Sequence, residues 1–268
     1  MTTGFTELAS VDGRIGPTAE ATIGLRDDGL YRGDGAFEVI RLYSGRPFAL
    51  DDHIARLERS AAALRLEFDR MALRAEIDAL LTEAGPVEGQ LRLIVTRGGR
   101  RIAATESVPV HAETITVAAV TYQPTIVLNG VKSLSYGANM LATRLAKEAG
   151  ADEALLVRPD GVVLEPPTSS IFWVAEGALR TTALAEGVLA SITRDRILKA
   201  VPGVEEGAWT LDELKGASEA FLASTTRELQ AVAQIDGVAL PDALGPRTRE
   251  AQEAFAAARD AELEATVN

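Results

Sequence analysis

The sequence predicts an α+β or mixed α/β chain in two domains, and three observations carry that expectation. A chain of 268 residues is long for a single core. Apolar, β-prone runs and amphipathic helical patterns are interspersed without the strict alternation that one doubly wound sheet requires. Finally, "QPT" at 123–125 interrupts a strand pattern, because Pro124 has no N–H for a ladder. The expected division is a smaller N-terminal α+β domain over 1–121, a linker over 122–125 and a larger C-terminal domain over 126–268.

In chain order, "AFEVIRLY" (36–43) reads as a strand and "SGRP" as the turn that follows it. "ALDDHIARLERSAAAL" reads as an amphipathic helix, running from about 51 to 66, with Asp51 or Asp52 at its N-cap. A second helix is expected over about 70–84, then strands at "QLRLIVTRG" (90–98) and "ETITVAAVTY" (113–122). Beyond the linker, "YGANMLATRLAKEAG" reads as a helix ended by Gly150, and "EALLVRP", "GVVLE" and "SSIFWV" as strands. A helix at about 193–200, strands near 219–224 and 229–235, and an Ala/Glu-rich helix from about 247 to 264 complete the chain.

Composition removes several classes of function. Hydrophobic residues at 47% with 25% charged describe an ordinary globular protein. No apolar run approaches the ~20 residues of a membrane span. With 27 basic against 39 acidic residues, the overall field repels nucleic acid and anionic membranes. An anionic ligand must then be captured locally. No Cys and two His, His53 and His111, exclude the usual zinc frameworks and cysteine–histidine catalysis. "DDH" at 51–53 reads as a helix start, not as a metal cluster. No basic segment followed by an apolar core opens the chain, and the lack of Cys fits a reducing compartment, so a cytoplasmic location is expected.

Two glycine clusters are weak signals. "YRGDGAFEV" has Gly33 and Gly35 but no third glycine at dinucleotide spacing, and it precedes a strand. "TRGGRR" (96–101) lacks the lysine and hydroxyl of a phosphate loop. It reads as a basic hairpin tip that binds a carboxylate if it folds over a cleft.

The chemistry gathers around Lys132, the only charged side chain between Tyr122 and Thr143. Such a lysine is either a stem along the surface with its head in water or an amine tuned by its surroundings. Tyr136 follows four residues later, and Glu165 ends an apolar run before "PPTSS". "LASITRDRIL" (189–198) is a loop entering a helix start, the kind of terminus that binds phosphate through backbone donors. "ASTTREL" (223–229) is a second hydroxyl cluster after an apolar strand. A serine–lysine hydrolase built on Lys132 and Ser135 would need a nucleophile turn that no stretch supplies.

In family order, "GDGAFEVIRLYSGRPFALDDHIARLERSA", "VKSLSY", "GADEALL", the "E" before "SSIF", "SITRD", and "STTREL" closed by "IDG" resemble the class IV aminotransferases of pyridoxal-phosphate fold type IV. The resemblance covers about residues 24–238 and is similar to D-amino acid transaminases above all, with branched-chain transaminases and aminodeoxychorismate lyases as relatives. It implies pyridoxal 5′-phosphate as cofactor, with Lys132 forming the Schiff base and moving the proton. It implies Glu165 on the pyridine nitrogen, Tyr136 beside the phenolate oxygen, and Arg56, Ile192, Thr193 and Thr225 on the phosphate. It also implies amino acid and 2-oxo acid substrates and a homodimer.

The departures bear on substrate. The family asparagine after the glutamate is Ser170 here, and "PPT" replaces small residues before it. Prolines 166 and 167 stiffen that segment. The pocket tyrosine of D-amino acid transaminases is Phe37, as in branched-chain enzymes, and their Arg–x–His is replaced by "GRRIAA". The expected substrate residues are Phe37, Arg100, Arg101 and Thr226. The expected reaction is D-amino acid transamination, extending to (R)-amines. The alternatives are aminodeoxychorismate lyase or L-branched-chain transaminase activity on the same fold, or a non-catalytic binding protein.

Overall fold

The computed structural model describes residues 5–265, which divide into two compact units. One runs to Pro109 and takes in Val131–Tyr136, and the other holds Val110–Gly130 and everything from Gly137. Residues 1–4 and 266–268, the outer ends of the two expected domains, lie outside the described residues.

The first unit contains β1 (Leu8–Val11), β2 (Arg14–Pro17), α1 (Asp28–Arg32), β3 (Gly35–Tyr43), β4 (Arg46–Pro47), α2 (Leu50–Ala63), α3 (Arg70–Ala84), β5 (Gly89–Thr96) and β6 (Arg101–Glu106). Its strands form an antiparallel sheet ordered β2-β1-β6-β5-β3-β4. Leu50, Ile54, Leu57 and Ala61 of α2 recur at helical spacing and join one core with Ile40 and Leu42 of β3 and Leu91 and Leu93 of β5. The helix expected over about 51–66 is present but starts and ends earlier, at Leu50–Ala63, and its N-cap is Ala49, in the left-handed conformation. Asp51 and Asp52 occupy the first turn instead, where their charge still suits the helix dipole.

The second unit contains β7 (Thr114–Thr121), α4 (Gly137–Glu148), β8 (Glu153–Val157), β9 (Ser170–Ala175), β10 (Ala178–Thr182), α5 (Ile192–Ala200), β11 (Glu205–Gly207), α6 (Leu211–Lys215), β12 (Glu219–Ser224), β13 (Glu228–Ile235), β14 (Val238–Ala239) and α7 (Pro246–Ala265). The sheet runs β11-β10-β9-β12-β13-β7-β8, with β14 on β13. It is mixed, since β7 lies parallel to both β8 and β13.

Two expectations are corrected. A boundary at 121/122 falls after β7, whose Ile115 and Val117 pack in the second core. "GVVLE" forms no strand of its own: Leu156 exchanges backbone hydrogen bonds with Leu164 and Glu165 along the free side of β8. Pro166 and Pro167 then end the pairing, because they carry no N–H. Among the described residues no helix is long and apolar enough to cross a membrane.

Candidate active site

In the first unit the lysine segment adds to the start of β3. Phe37 N–H donates to Lys132 C=O at 3.1 Å and Leu134 N–H to Gly35 C=O at 2.8 Å, with a bridge between Ala36 and Ser133. The two glycines of "GDG" permit this approach. Gly33 ends α1 at φ +66°, and a Cβ on Gly35 would lie 2.6 Å from both Leu134 Cδ1 and Val95 O. Lys132 is thereby held half-buried with Nζ 4.3 Å from the Phe37 ring centroid. The Tyr136 ring meets Phe37 edge-on at 5.5 Å. Lys132, Phe37 and Tyr136, picked out separately from sequence, form one cluster.

Arg56 lies on the buried face of α2. Its Nε and Nη2 donate to the two oxygens of Glu38, each at 2.7 Å. His53 Nδ1 lies 2.8 Å from the same carboxylate, which accepts only, so that ring nitrogen carries the proton. Burial alone would raise the Glu38 carboxyl, but hydrogen bonds from Arg56 and His53 outweigh it and hold the pKa at about 2. Burial pushes the His53 imidazole down, so the ring is neutral at pH 7, with the Glu38 hydrogen bond acting in the opposite sense. Sequence reasoning missed Glu38 and read His53 only as part of a helix start. The available signal was an acid inside an apolar strand, with His53, Arg56 and Ser60 spaced along one helix face.

The arginines of "TRGGRR" are already engaged. Arg101 places its fork on Glu76, with Nη2 at 2.7 Å and Nε at 3.0 Å from Oε1. Arg100 donates to Asp12 at 2.7 Å and to Asp27 at 3.2 Å, and Arg97 pairs with Asp34. Acids within the same unit pair with both guanidinium groups, which the run of cations in the sequence does not reveal; the carboxylate-binding role expected of Arg100 or Arg101 would require displacing those acids.

In the second unit, β8 and the segment returning along it deliver Glu165, whose Oε1 accepts from Leu189 N–H at 2.8 Å. The same loop ends at Ser191, which caps α5 by accepting from Arg194 N–H at 3.3 Å. Ile192 and Thr193, buried, are the first two residues of that helix, where amides have no intrahelical acceptor. Thr225 and Thr226 sit half-buried in the β12–β13 hairpin turn. Arg227 fastens that turn, donating to Gln230 at 2.7 Å and to the buried Glu153 at 2.6 Å. Ser170, in register with Ala223 of β12, and its neighbour Ser169 bury hydroxyls that have no hydrogen-bond partner. Unpaired hydroxyls, helix-start amides and one ionisable carboxylate are a donor set that suits an aromatic phosphate ester with a basic ring nitrogen.

The fold and the comparison with known proteins together define the class of this chain, an aminotransferase. The family profile "Amino-transferase class IV" matches residues 35–235, and the chain belongs to that family; the protein is a fold type IV aminotransferase. Among individual relatives, it is 34% identical to the D-alanine aminotransferase of Bacillus licheniformis, over 91% of this chain and 94% of the relative. It is 32% identical to a putative branched-chain-amino-acid aminotransferase of Methanocaldococcus jannaschii, over 91% and 94%. A fold IV transaminase structure from Curtobacterium pusillum superposes with a TM-score of 0.84 at 26% identity, covering 93% of this chain and 99% of that one.

Proposed function

We propose that this aminotransferase is pyridoxal 5′-phosphate-dependent and moves an amino group between a D-amino acid and a 2-oxo acid, accepting (R)-amines as well. The observation that carries the reading is Lys132, its peptide tied to β3 and its amine held over the Phe37 ring. Arg56, Ile192, Thr193 and Thr225 would hold the phosphate, Glu165 the ring nitrogen and Tyr136 the phenolate oxygen. When bound, the cofactor supplies an electron sink for the charge left at the substrate Cα. The Lys132 amine takes the Cα proton and returns it, acting as general base and then acid. Glu165, oriented by Leu189 N–H, would stabilise a proton on the ring nitrogen of a bound cofactor. Glu38 takes the Nε–Nη2 edge of Arg56 and orients its guanidinium, so a phosphate would be met from the Nη1 side.

The D-amino acid assignment rests on the D-alanine aminotransferase relatives. Phe37 favours a second reading, L-branched-chain transamination, which the Methanocaldococcus relative also supports. Thr226 and Phe37 are the substrate-side residues in either case, with Arg100 and Arg101 left to their structural pairs. Homodimer formation is supported by exposed apolar side chains: Leu25, Leu30 and Tyr31 in the first unit, Leu141 and Leu145 in the second. A cytoplasmic location is part of the same proposal, as a reducing compartment suits a chain without disulfides.

Half-reaction spectra test the reading. Protein saturated with pyridoxal phosphate is mixed with D-alanine, L-leucine and an (R)-amine, and the visible band is followed. Bleaching by D-alanine and not by L-leucine is expected. The reverse preference establishes the branched-chain reading, and a chain that binds the cofactor with no band and no borohydride-fixed label on Lys132 overturns both.

A further inference from the structure

Helix α2 is a core helix with an anomaly. Its inward face is apolar at Leu50, Ile54, Leu57 and Ala61, yet His53, Arg56 and Ser60 are buried beside those residues. His53 and Arg56 are accounted for by Glu38. Ser60, 2% exposed, has a different partner: its Oγ accepts the main-chain N–H of Lys132 at 3.1 Å. A serine inside a helix is neutral to unfavourable for the helix itself, and a buried hydroxyl needs a partner. This one is matched to a peptide 72 residues away.

The main chain of Lys132 is therefore held on both sides. Phe37 N–H holds the Lys132 carbonyl at 3.1 Å, and Ser60 Oγ holds the Lys132 N–H. Neighbouring bonds, Leu134 N–H to Gly35 C=O and Ser135 Oγ to Gly33 C=O, stop the segment sliding along β3. We propose that Ser60 is a positioning residue for Lys132: it fixes the orientation of the peptide from which the amine projects, so that the amine reaches its reacting carbon without a search. Resting on the lysine role assigned above, this inference extends it to a residue that acts through the Lys132 peptide. Losing one of the two main-chain anchors lets the lysine Cα drift, and a drift of about 1 Å at a reacting group lowers a rate by roughly 10²-fold.

The test compares wild type with Ser60→Ala, which removes the acceptor, Ser60→Thr, which keeps it, and Ser60→Cys, which replaces oxygen by a weaker sulfur acceptor at similar size. Two readouts are taken. Amide hydrogen exchange is measured on the cofactor-free protein, and kcat and KM on protein saturated with pyridoxal phosphate. Ser60→Ala is expected to speed exchange at the Lys132 amide while that of the core strands stays at wild-type rates. It should lower kcat by about 10-fold to 100-fold with KM for the amino donor nearly unchanged, and Ser60→Thr should restore both. Should Ser60→Ala fail to fold, Ser60→Cys carries the test with the same split between kcat and KM. Wild-type exchange at Lys132 with wild-type kcat in the variant that folds overturns the proposal. So does a loss of kcat matched by equal loosening throughout the first unit, which makes Ser60 a packing residue only. If wild type itself shows no label on Lys132, the lysine role fails instead, and the exchange data still report whether Ser60 holds the peptide.

Discussion

Glu38 and Arg56 form a two-pronged pair, both contacts at 2.7 Å, with side chains 0% and 6% exposed. A buried pair of this kind contributes little net stability over an apolar pair but is destabilising to break, because the surviving charge has nowhere to go. Glu38→Ala is therefore expected to lower stability by about 3–5 kcal/mol, measured by urea denaturation at pH 7.

The same pair sets an acid limit. Glu38 titrates near 4.5 when unfolded and at about 2 when folded, so its contribution is fully present above pH 4.5 and is lost as pH falls toward 2. The difference corresponds to about 3 kcal/mol. His53, with its folded value depressed below 6.5, acts in the same direction: stability declines once the unfolded chain begins to bind that proton, below pH 6.5. Stability measured by denaturation should fall from pH 6.5 downward and steepen below 4.5. In Glu38→Gln the steepening below 4.5 should shrink, and an unchanged acid profile would show that the carboxylate is not the origin.

Gly35→Ala should separate packing from chemistry poorly, and that is informative. The added methyl meets Val95 O and Leu134 Cδ1 at 2.6 Å, one of them rigid backbone. Stability is expected to drop by about 1–3 kcal/mol, and kcat to fall with it, because relief of the clash displaces the segment holding Lys132. Wild-type turnover in a folded Gly35→Ala protein would mean that the lysine tolerates displacement.

Arg100 and Arg101 should behave as structural residues. Arg101→Ala leaves Glu76 largely buried and unpaired, so a loss of about 1–3 kcal/mol is expected by thermal denaturation. KM for a 2-oxo acid should change by less than about two-fold in the Arg100→Ala and Arg101→Ala variants. A large rise in KM at wild-type stability would return these arginines to substrate binding.

Lys132→Ala is the most direct test of the chemistry. Removing a general base typically lowers turnover by about 10²–10⁴-fold, and here the covalent anchor goes as well. Borohydride reduction followed by peptide mapping should label the wild type at Lys132 and leave the variant unlabelled, with both proteins equally stable.

Much of this was legible beforehand, because patterns of one or two turns or strands are local. The strands at 36–43 and 90–98 and the helices at about 51–66 and 70–84 could be read from spacing, while Lys132, Tyr136 and Glu165 were marked by the resemblance of the motifs around them. What was not legible depended on distant pairing. β7 looked like the end of the first domain until its parallel partners β8 and β13 were known. "GVVLE" had strand composition, but only its return along β8 shows why it stops at Glu165. The arginines of "TRGGRR" looked available because Asp12, Asp27 and Glu76 lie far away in sequence. Ser60 and Glu38 were invisible as polar residues until their burial showed that each needed a partner.

The chain crosses from one unit to the other at 109/110, 130/131 and 136/137. Neither unit is thus a cassette that recombination could move with a single crossover. A fragment ending at Pro109 would leave the main-chain groups of Gly35 and Phe37 unmatched and would lack Lys132, which would travel with the other fragment. Exchanging whole halves at 109/110 would part Lys132 from the strand that presents it.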